Sequence, residues 1–91
     1  MNALWKFKVY GKVQGVFFRA STKEQALDLG INGLVRNEPD GTVYVEAESV
    51  TENLMVLKKW LEKGPPFSRV DKLEVVEEKE TAGYTEFTIE Y

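Results

Sequence analysis

Apolar and polar positions alternate with a period of two near the start of the chain, Trp5, Phe7 and Val9 on one side and Lys6, Lys8 and Tyr10 on the other. Successive side chains of an extended chain point to opposite faces, so this pattern predicts a strand with one buried face. The period then changes. Phe18, Thr22, Ala26 and Leu29 fall at helical spacing, a stripe that can lie on a sheet, and Gly30 stands where a C′ glycine would end that helix. A short Val/Leu-bearing run from Asn32 to Asn37 leads into Glu38-Pro39-Asp40-Gly41, a tight turn with proline pre-set at its second position. Beyond the turn, Val43, Val45 and Ala47 alternate with Tyr44, Glu46 and Glu48, which predicts a hairpin of strands two and three. Ser49 or Thr51 can cap a second helix with Glu52 in its first turn, an apolar face of Leu54, Leu57, Trp60 and Leu61, and Gly64-Pro65-Pro66 as its stop. Leu73 and Val75 predict a fourth strand and Phe87, Ile89 and Tyr91 a last one, with residues 77 to 83 as the turn region between them.

The order is βαββαβ plus a C-terminal strand. It predicts an α+β, ferredoxin-like split βαβ sandwich with two helices on one face of a mostly antiparallel sheet. Strands one and two then run parallel with the third between them, so their C-terminal ends share an edge. The loop before Arg19 and the residue Asn37 are expected to face each other. Residues 1 to 91 read as one domain, without repeats, linkers or low-complexity tracts.

Composition narrows the chemistry. There is no cysteine, hence no disulfide framework, thiolate zinc site or cysteine nucleophile, and no histidine, the commonest general base near neutral pH. Lys6 and Lys8 interrupt any apolar run at the N-terminus, so neither a signal peptide nor a membrane span is expected, and a cytoplasmic protein is the default. The net charge of −3 is uneven: residues 1 to 45 hold six Lys/Arg against four Asp/Glu, residues 46 to 91 six against eleven. An anionic small molecule suits the positive half, whereas the acidic whole argues against a nucleic-acid surface.

The positive half contains Gly11 to Arg19, GKVQGVFFR, between a predicted strand and a predicted helix. A helix N-terminus offers unpaired N–H groups and the positive end of the helix dipole, so such a turn can hold a phosphate. Gly11 and Gly15 permit close approach and positive φ, and Arg19 supplies a planar fork for two phosphoryl oxygens. Each residue also has a plainer reading. Arg19 can be a surface residue, Asn37 can serve only to bond the following turn, and Lys12 can be a solvated loop lysine. Phe18 falls on the helix stripe and is expected in the core, while Phe17 either lines the site or anchors the loop. The run fits neither the phosphate-loop pattern ending in Lys-Ser/Thr nor the three-glycine dinucleotide pattern. Glu46, Glu48, Glu74, Glu77, Glu78 and Glu80 alternate along strands as a solvated face does, and no metal site is expected from them. Trp5, Trp60 and the tyrosines read as core or half-buried sheet residues.

The same run resembles the acylphosphatase family: Gly, a variable or basic residue, Val, Gln, Gly, Val, a variable residue, Phe, Arg. A second marker of that family, Gly-aromatic-Val-Arg/Gln-Asn followed by a short turn and Gly-Thr/Ser-Val, is matched by GLVRNEPDGTV from Gly33 to Val43, and WLEKGPP from Trp60 to Pro66 is similar too. The likeness spans nearly the whole chain. Leu34 stands where the family often has Trp, and Phe17 where many members have Gly, although Phe there also fits the family's range. The resemblance implies hydrolysis of the carboxyl-phosphate bond of acyl phosphates to a carboxylate and inorganic phosphate. It also implies two functional residues. Arg19 would hold the phosphoryl group together with the backbone N–H groups of Gln14, Gly15, Val16, Phe17 and Phe18, and Asn37 would orient the attacking water.

That chemistry suits a chain without histidine. The leaving carboxylate has a conjugate acid of pKa about 4 and departs without a general acid. A loose phosphoryl-transfer transition state asks mainly for positioning and donors, so no cofactor and no metal are expected. A phosphomonoester has a poor leaving group, and little activity on it is expected. The expected partners are the small-molecule acyl phosphate and inorganic phosphate, with no nucleic acid, no membrane and a monomeric state. Two alternatives belong to another class. One is a non-catalytic acyl-phosphate- or phosphate-binding module of a larger machine, against which the chain is expected to start and end with the domain. The other is a single-stranded RNA reader on a ferredoxin-like sheet, but TVYVEAE puts Glu46 and Glu48 where a basic, stacking surface would be needed.

Overall fold

The structure, a computed structural model, describes residues 1–91 in full. Its elements are β1 (Ala3–Lys12), α1 (Phe18–Asp28), β2 (Asn32–Asn37), β3 (Val43–Ser49), α2 (Thr51–Lys63), β4 (Arg69–Glu78) and β5 (Phe87–Glu90). The strands form one sheet in the order β4-β1-β3-β2-β5. Every neighbouring pair is antiparallel except β2 and β5, which run parallel. This is the α+β, ferredoxin-like arrangement, and because β3 separates β1 from β2, those two strands end on the same edge.

Period-two alternation decides which face is buried. Trp5, Phe7 and Val9 lie opposite Ala47, Val45 and Val43 of β3, and Val35 lies between Val45 and Ile89. All of these but Ile89 are buried, and they pack with Leu54, Leu57 and Leu61 of α2 and with Phe18 and Ala26 of α1. Phe18 joins the two helices, its ring 5.9 Å from that of Trp60. Truncating such a fully buried aromatic to Ala costs about 3–5 kcal/mol. The far end of α1 closes as a Schellman turn, with Ile31 N–H donating to Ala26 C=O and Gly30 N–H to Leu27 C=O.

Several expectations are corrected. β4 continues to Glu78, so residues 77 and 78 are strand and not turn; Glu78 lies opposite Leu4 and meets Lys6 at 3.4 Å. An edge strand open to water carries glutamates at little cost, which is why its polar composition hid its length. The N-cap of α2 is Val50, without a side-chain cap, because the Ser49 hydroxyl accepts from the Asn53 amide and Thr51 is already helical. Tyr91 lies just beyond β5 and is exposed. Gly11 belongs to β1 and marks a bulge against β4, where a Cβ would come within 2.0 Å of the Arg69 carbonyl oxygen. Its lack of a side chain serves sheet pairing.

Glu46 and Glu48 are the largest correction, since neither is a solvated strand residue. The segment 79–86 leaves β4 at one edge and reaches β5 at the other, crossing the face opposite the helices. Glu48, only 5% exposed, accepts there from the N–H groups of Ala82 (2.6 Å), Gly83 (3.1 Å) and Tyr84 (2.9 Å). Glu46 accepts from the Tyr44 and Tyr84 hydroxyls. Burial pushes the Glu46 carboxyl up, but these two hydrogen bonds together with the charges of Lys6 and Arg36 leave the group below its ordinary value. Burial first, and Glu46 second, raise the Tyr84 hydroxyl to about 12.

Candidate active site

The end of β1 and the start of α1 are joined by residues 13–17. Val13 and Val16 are buried and hold this loop to the core, while Gly15 faces open space with φ 73° and could not carry a Cβ without strain. The helix opens at Phe18 with Phe17 as N-cap, left-handed at φ 62° and ψ 24°. No side chain caps this end and no acidic residue occupies the first turn. None of the N–H groups of Gln14 to Phe18 donates to another group of the protein. The result is a row of free donors at the positive end of a helix dipole, which suits an anion.

Arg19, the second residue of α1, is half-buried and points towards the end of β5. One of its nitrogens donates to the Glu90 carbonyl at 3.3 Å, and the guanidinium lies 4.7 Å from the Tyr91 ring centroid. The other two arginines are committed to carboxylates: Arg36 pairs with Glu38 and Glu90, and Arg69 with Asp71. Arg19 has no carboxylate partner, so its charge is available to a ligand. Glu90 divides its functions between two arginines, its backbone oxygen turned to Arg19 and its side chain to Arg36.

Asn37 is the last residue of β2. The alternation that buries Gly33 and Val35 against the helices places Asn37 on the same face, opposite Val43 of β3. A polar residue there interrupts an apolar row. Its Oδ1 is buried and has no hydrogen-bond partner in the protein, which is costly unless the acceptor has another use. A cavity of about 300 Å³ is lined by Arg19, Asn37, Gly15, Phe17, Phe18 and Tyr91 among others. It brings Arg19, Asn37 and part of the loop together. Lys12 does not line it and is exposed at the end of β1.

Gln14 has a function its backbone alone did not suggest. Its side-chain amide donates to the carbonyls of Glu38 (2.8 Å) and Thr42 (2.9 Å), tying the loop to the β2–β3 turn. Glu38 N–H also donates to Thr42 C=O at 2.9 Å, and Asp40 accepts from the Thr42 N–H and hydroxyl. The Thr42 hydroxyl first, then Lys8, lowers the Asp40 carboxyl to about 2. No group of three or more Asp and Glu residues is placed to hold a metal ion. No helix is long and apolar enough to cross a membrane.

A family model for acylphosphatase matches residues 5–89. The chain belongs to the acylphosphatase family. Among curated acylphosphatases, that of Mannheimia succiniciproducens is 41% identical over 86 residues, covering 94% of this chain and 96% of its own. That of Methylococcus capsulatus is 46% identical over 81 residues, covering 89% and 88%. The crystal structure of the Bacillus subtilis acylphosphatase superimposes with a TM-score of 0.95 at 33% identity, over the full length of both chains. Within this family likeness, the two positions that differ from common versions fall in different places. Leu34 is buried on the sheet face opposite Asn37 and does not line the cavity, whereas Phe17 does.

Proposed function

We propose that this acylphosphatase cleaves the carboxyl-phosphate bond of acyl phosphates through the cavity between α1 and the end of β2. The phosphoryl group sits at the start of α1, its oxygens taken by the N–H groups of Gln14 to Phe18 and by the Arg19 fork. A water donates one hydrogen bond to Asn37 Oδ1, which turns an oxygen lone pair towards phosphorus. As that oxygen bonds to phosphorus, the bond from phosphorus to the carboxyl oxygen breaks and its electron pair leaves with the carboxylate. The proton of the water passes to a phosphate oxygen. The carboxylate is a good leaving group, so the reaction needs no general acid. The donors act on charge that gathers on the equatorial oxygens in the transition state, which is where a preorganised cradle lowers the barrier.

The observation that carries the reading is the buried, unpartnered Oδ1 of Asn37 on the same cavity as Arg19. All the groups the reaction needs come from one copy, so the proposal extends to a monomer in the cytoplasm acting on a small molecule, without a nucleic-acid or membrane partner. The deciding experiment is hydrolysis of benzoyl phosphate followed by ultraviolet absorbance, with EDTA present and Arg19→Ala as control. Rapid turnover that survives EDTA and is lost in the variant supports the mechanism. Folded protein that binds phosphate without turnover would make the chain a binding module.

A further inference from the structure

We infer that Arg36, on the sheet face away from the cavity, is a positioning residue for the reaction: its one guanidinium holds the two residues whose backbone carbonyls anchor Arg19 and Gln14. The inference rests on the functional reading above and adds to it how the site is kept in shape.

The parallel pairing of β2 with β5 sets Arg36 level with Glu90, and β3 sets Tyr44 on its other side. The alternation that turns Val35 to the helices turns Arg36 to the opposite face. There its guanidinium lies 4.5 Å from the Tyr44 ring centroid. Tyr44 is itself held, its hydroxyl donating to Glu46 at 2.6 Å, and Glu46 also accepts from Tyr84. A planar cation stacked on a fixed ring has few orientations left. Two carboxylates complete its seating. Arg36 Nε donates to Glu38 at 3.2 Å and Nη1 to Glu90 at 3.5 Å.

Neither ion pair is strong by itself, because the side chains of Arg36 and Glu90 are 41% and 47% exposed and pairs so wet contribute little to stability. What singles them out is the second task of each partner. The Glu38 carbonyl accepts from the Gln14 amide at 2.8 Å, and Asn37 directly precedes Glu38. The Glu90 carbonyl accepts from Arg19 at 3.3 Å, in the one hydrogen bond of the Arg19 side chain. β5 is an edge strand of four residues with only β2 to pair with, and such a strand end frays readily. The Arg36–Glu90 pair closes its last register position. Arg36 therefore sets the end of β2, which carries Asn37, against the end of β5, which holds Arg19, without lining the cavity.

The test compares Glu90→Ala, Arg36→Met and the double variant with the wild type, at a temperature where thermal melts show every protein folded. It measures kcat and KM for benzoyl phosphate and the dissociation constant of inorganic phosphate. Charge and position give opposite signs in Glu90→Ala, which keeps the backbone carbonyl that Arg19 uses. By charge alone, removing a carboxylate near the site tightens phosphate binding, whereas losing the tie weakens it. Phosphate should bind about three- to tenfold more weakly in both single variants, and kcat/KM should fall about five- to tenfold, as slight misplacement of reacting groups implies. The double variant should lose no more than Arg36→Met, because the two residues act as one unit. Arg36→Lys keeps the charge without the fork and should recover only part of the loss. Unchanged or tighter phosphate binding in Glu90→Ala overturns the inference, as does an additive double variant or full recovery in Arg36→Lys. A wild type that turns over benzoyl phosphate, with variants equal to it, defeats only the inference. A wild type that neither hydrolyses benzoyl phosphate nor binds phosphate defeats the functional reading itself, and the inference falls with it.

Discussion

Gln14 and Glu38 are joined across the site, the side-chain amide of one donating to the backbone carbonyl of the other at 2.8 Å. Because Asn37 directly precedes Glu38, this bond and its companion to Thr42 fix where the end of β2 stands relative to the loop. Gln14 is in this sense a positioning residue. Gln14→Ala should cost about 1–2 kcal/mol of stability, the worth of two ordinary hydrogen bonds. It should also lower kcat about tenfold or more, since small misplacements of reacting groups are expensive. Gln14→Glu should be worse at neutral pH, where a carboxylate would face two carbonyl oxygens, and should partly recover in acid as the carboxyl regains a donor. Equal activity of all three proteins would remove the tie from the catalytic account.

Asn37 should show a conflict between stability and activity. Its buried Oδ1 lacks a partner, and an orphaned acceptor costs about 1–3 kcal/mol. Asn37→Ala removes that acceptor together with some packing. The variant is therefore expected to melt at or above the wild-type temperature while kcat falls about 100-fold and KM shifts less than about threefold. A rise in KM alone would show that Asn37 binds the phosphoryl group and not the water.

Arg19 makes only one hydrogen bond and one ring contact within the protein, so its removal should leave the fold nearly untouched. Arg19→Ala should lose about 100-fold or more in kcat/KM, by comparison with deleting an oxyanion donor. Arg19→Lys should recover only part of this, because a point charge cannot grip two oxygens in a plane. Circular dichroism and thermal melts on the same samples decide between a catalytic and a structural loss. Unfolding of Arg19→Ala at room temperature would make the residue structural.

What could be read in the sequence follows from which interactions leave a periodic or compositional trace. Phe7, Phe18 and Val45 announced their burial because strand and helix periods record which face meets the core. Asn37 was singled out by the motif that carries the family resemblance and by the expected strand order, whereas its place on an apolar register is seen only in the sheet. Contacts with backbone leave no such trace. The Gln14 amide meets carbonyls 24 and 28 residues away, and a carbonyl is the same at every residue. The one available signal was an amide donor in a loop otherwise made of glycine, valine and phenylalanine. Glu48 misled because alternation marks the face opposite the core without revealing that another segment covers it. Segment 79–86 is polar and aperiodic, so nothing in it announced a crossing.

The turn that follows Asn37 should weaken in acid. The Asp40 carboxyl lies at about 2 against an ordinary 3.8, held there by the Thr42 hydroxyl and then by Lys8, 3.0 Å away. A carboxyl whose folded pKa is depressed adds stability above its unfolded value and loses it as pH falls through the folded one, here from about 4 down to about 2. Asp40→Asn should therefore melt slightly below the wild type at neutral pH, since solvent screens so exposed a carboxylate, with the difference shrinking across that window. A constant difference at every pH would assign the effect to the side chain's shape and not to its charge.

Glu48 makes the sharpest demand on charge within the fold. Its buried carboxylate receives N–H groups from three consecutive residues, Ala82, Gly83 and Tyr84, and Asn32 adds a bond to the Tyr84 carbonyl at 3.1 Å. These contacts pin the segment that delivers β5, and β5 in turn carries Ile89 beside the cavity and the Glu90 carbonyl beside Arg19. Glu48→Gln keeps the size but turns an NH₂ group towards N–H donors, so at least one of these part-buried donors loses its acceptor. Each such loss costs about 1–3 kcal/mol. The variant should unfold at lower denaturant, and its amides at 82–84 should exchange hydrogen faster than those of β1 and β3. Arg19 should then bind phosphate less tightly, because the strand that supports it is looser at its entry. If the amides of 82–84 stay protected while stability falls, the carboxylate supports β3 itself and does not hold the crossing segment.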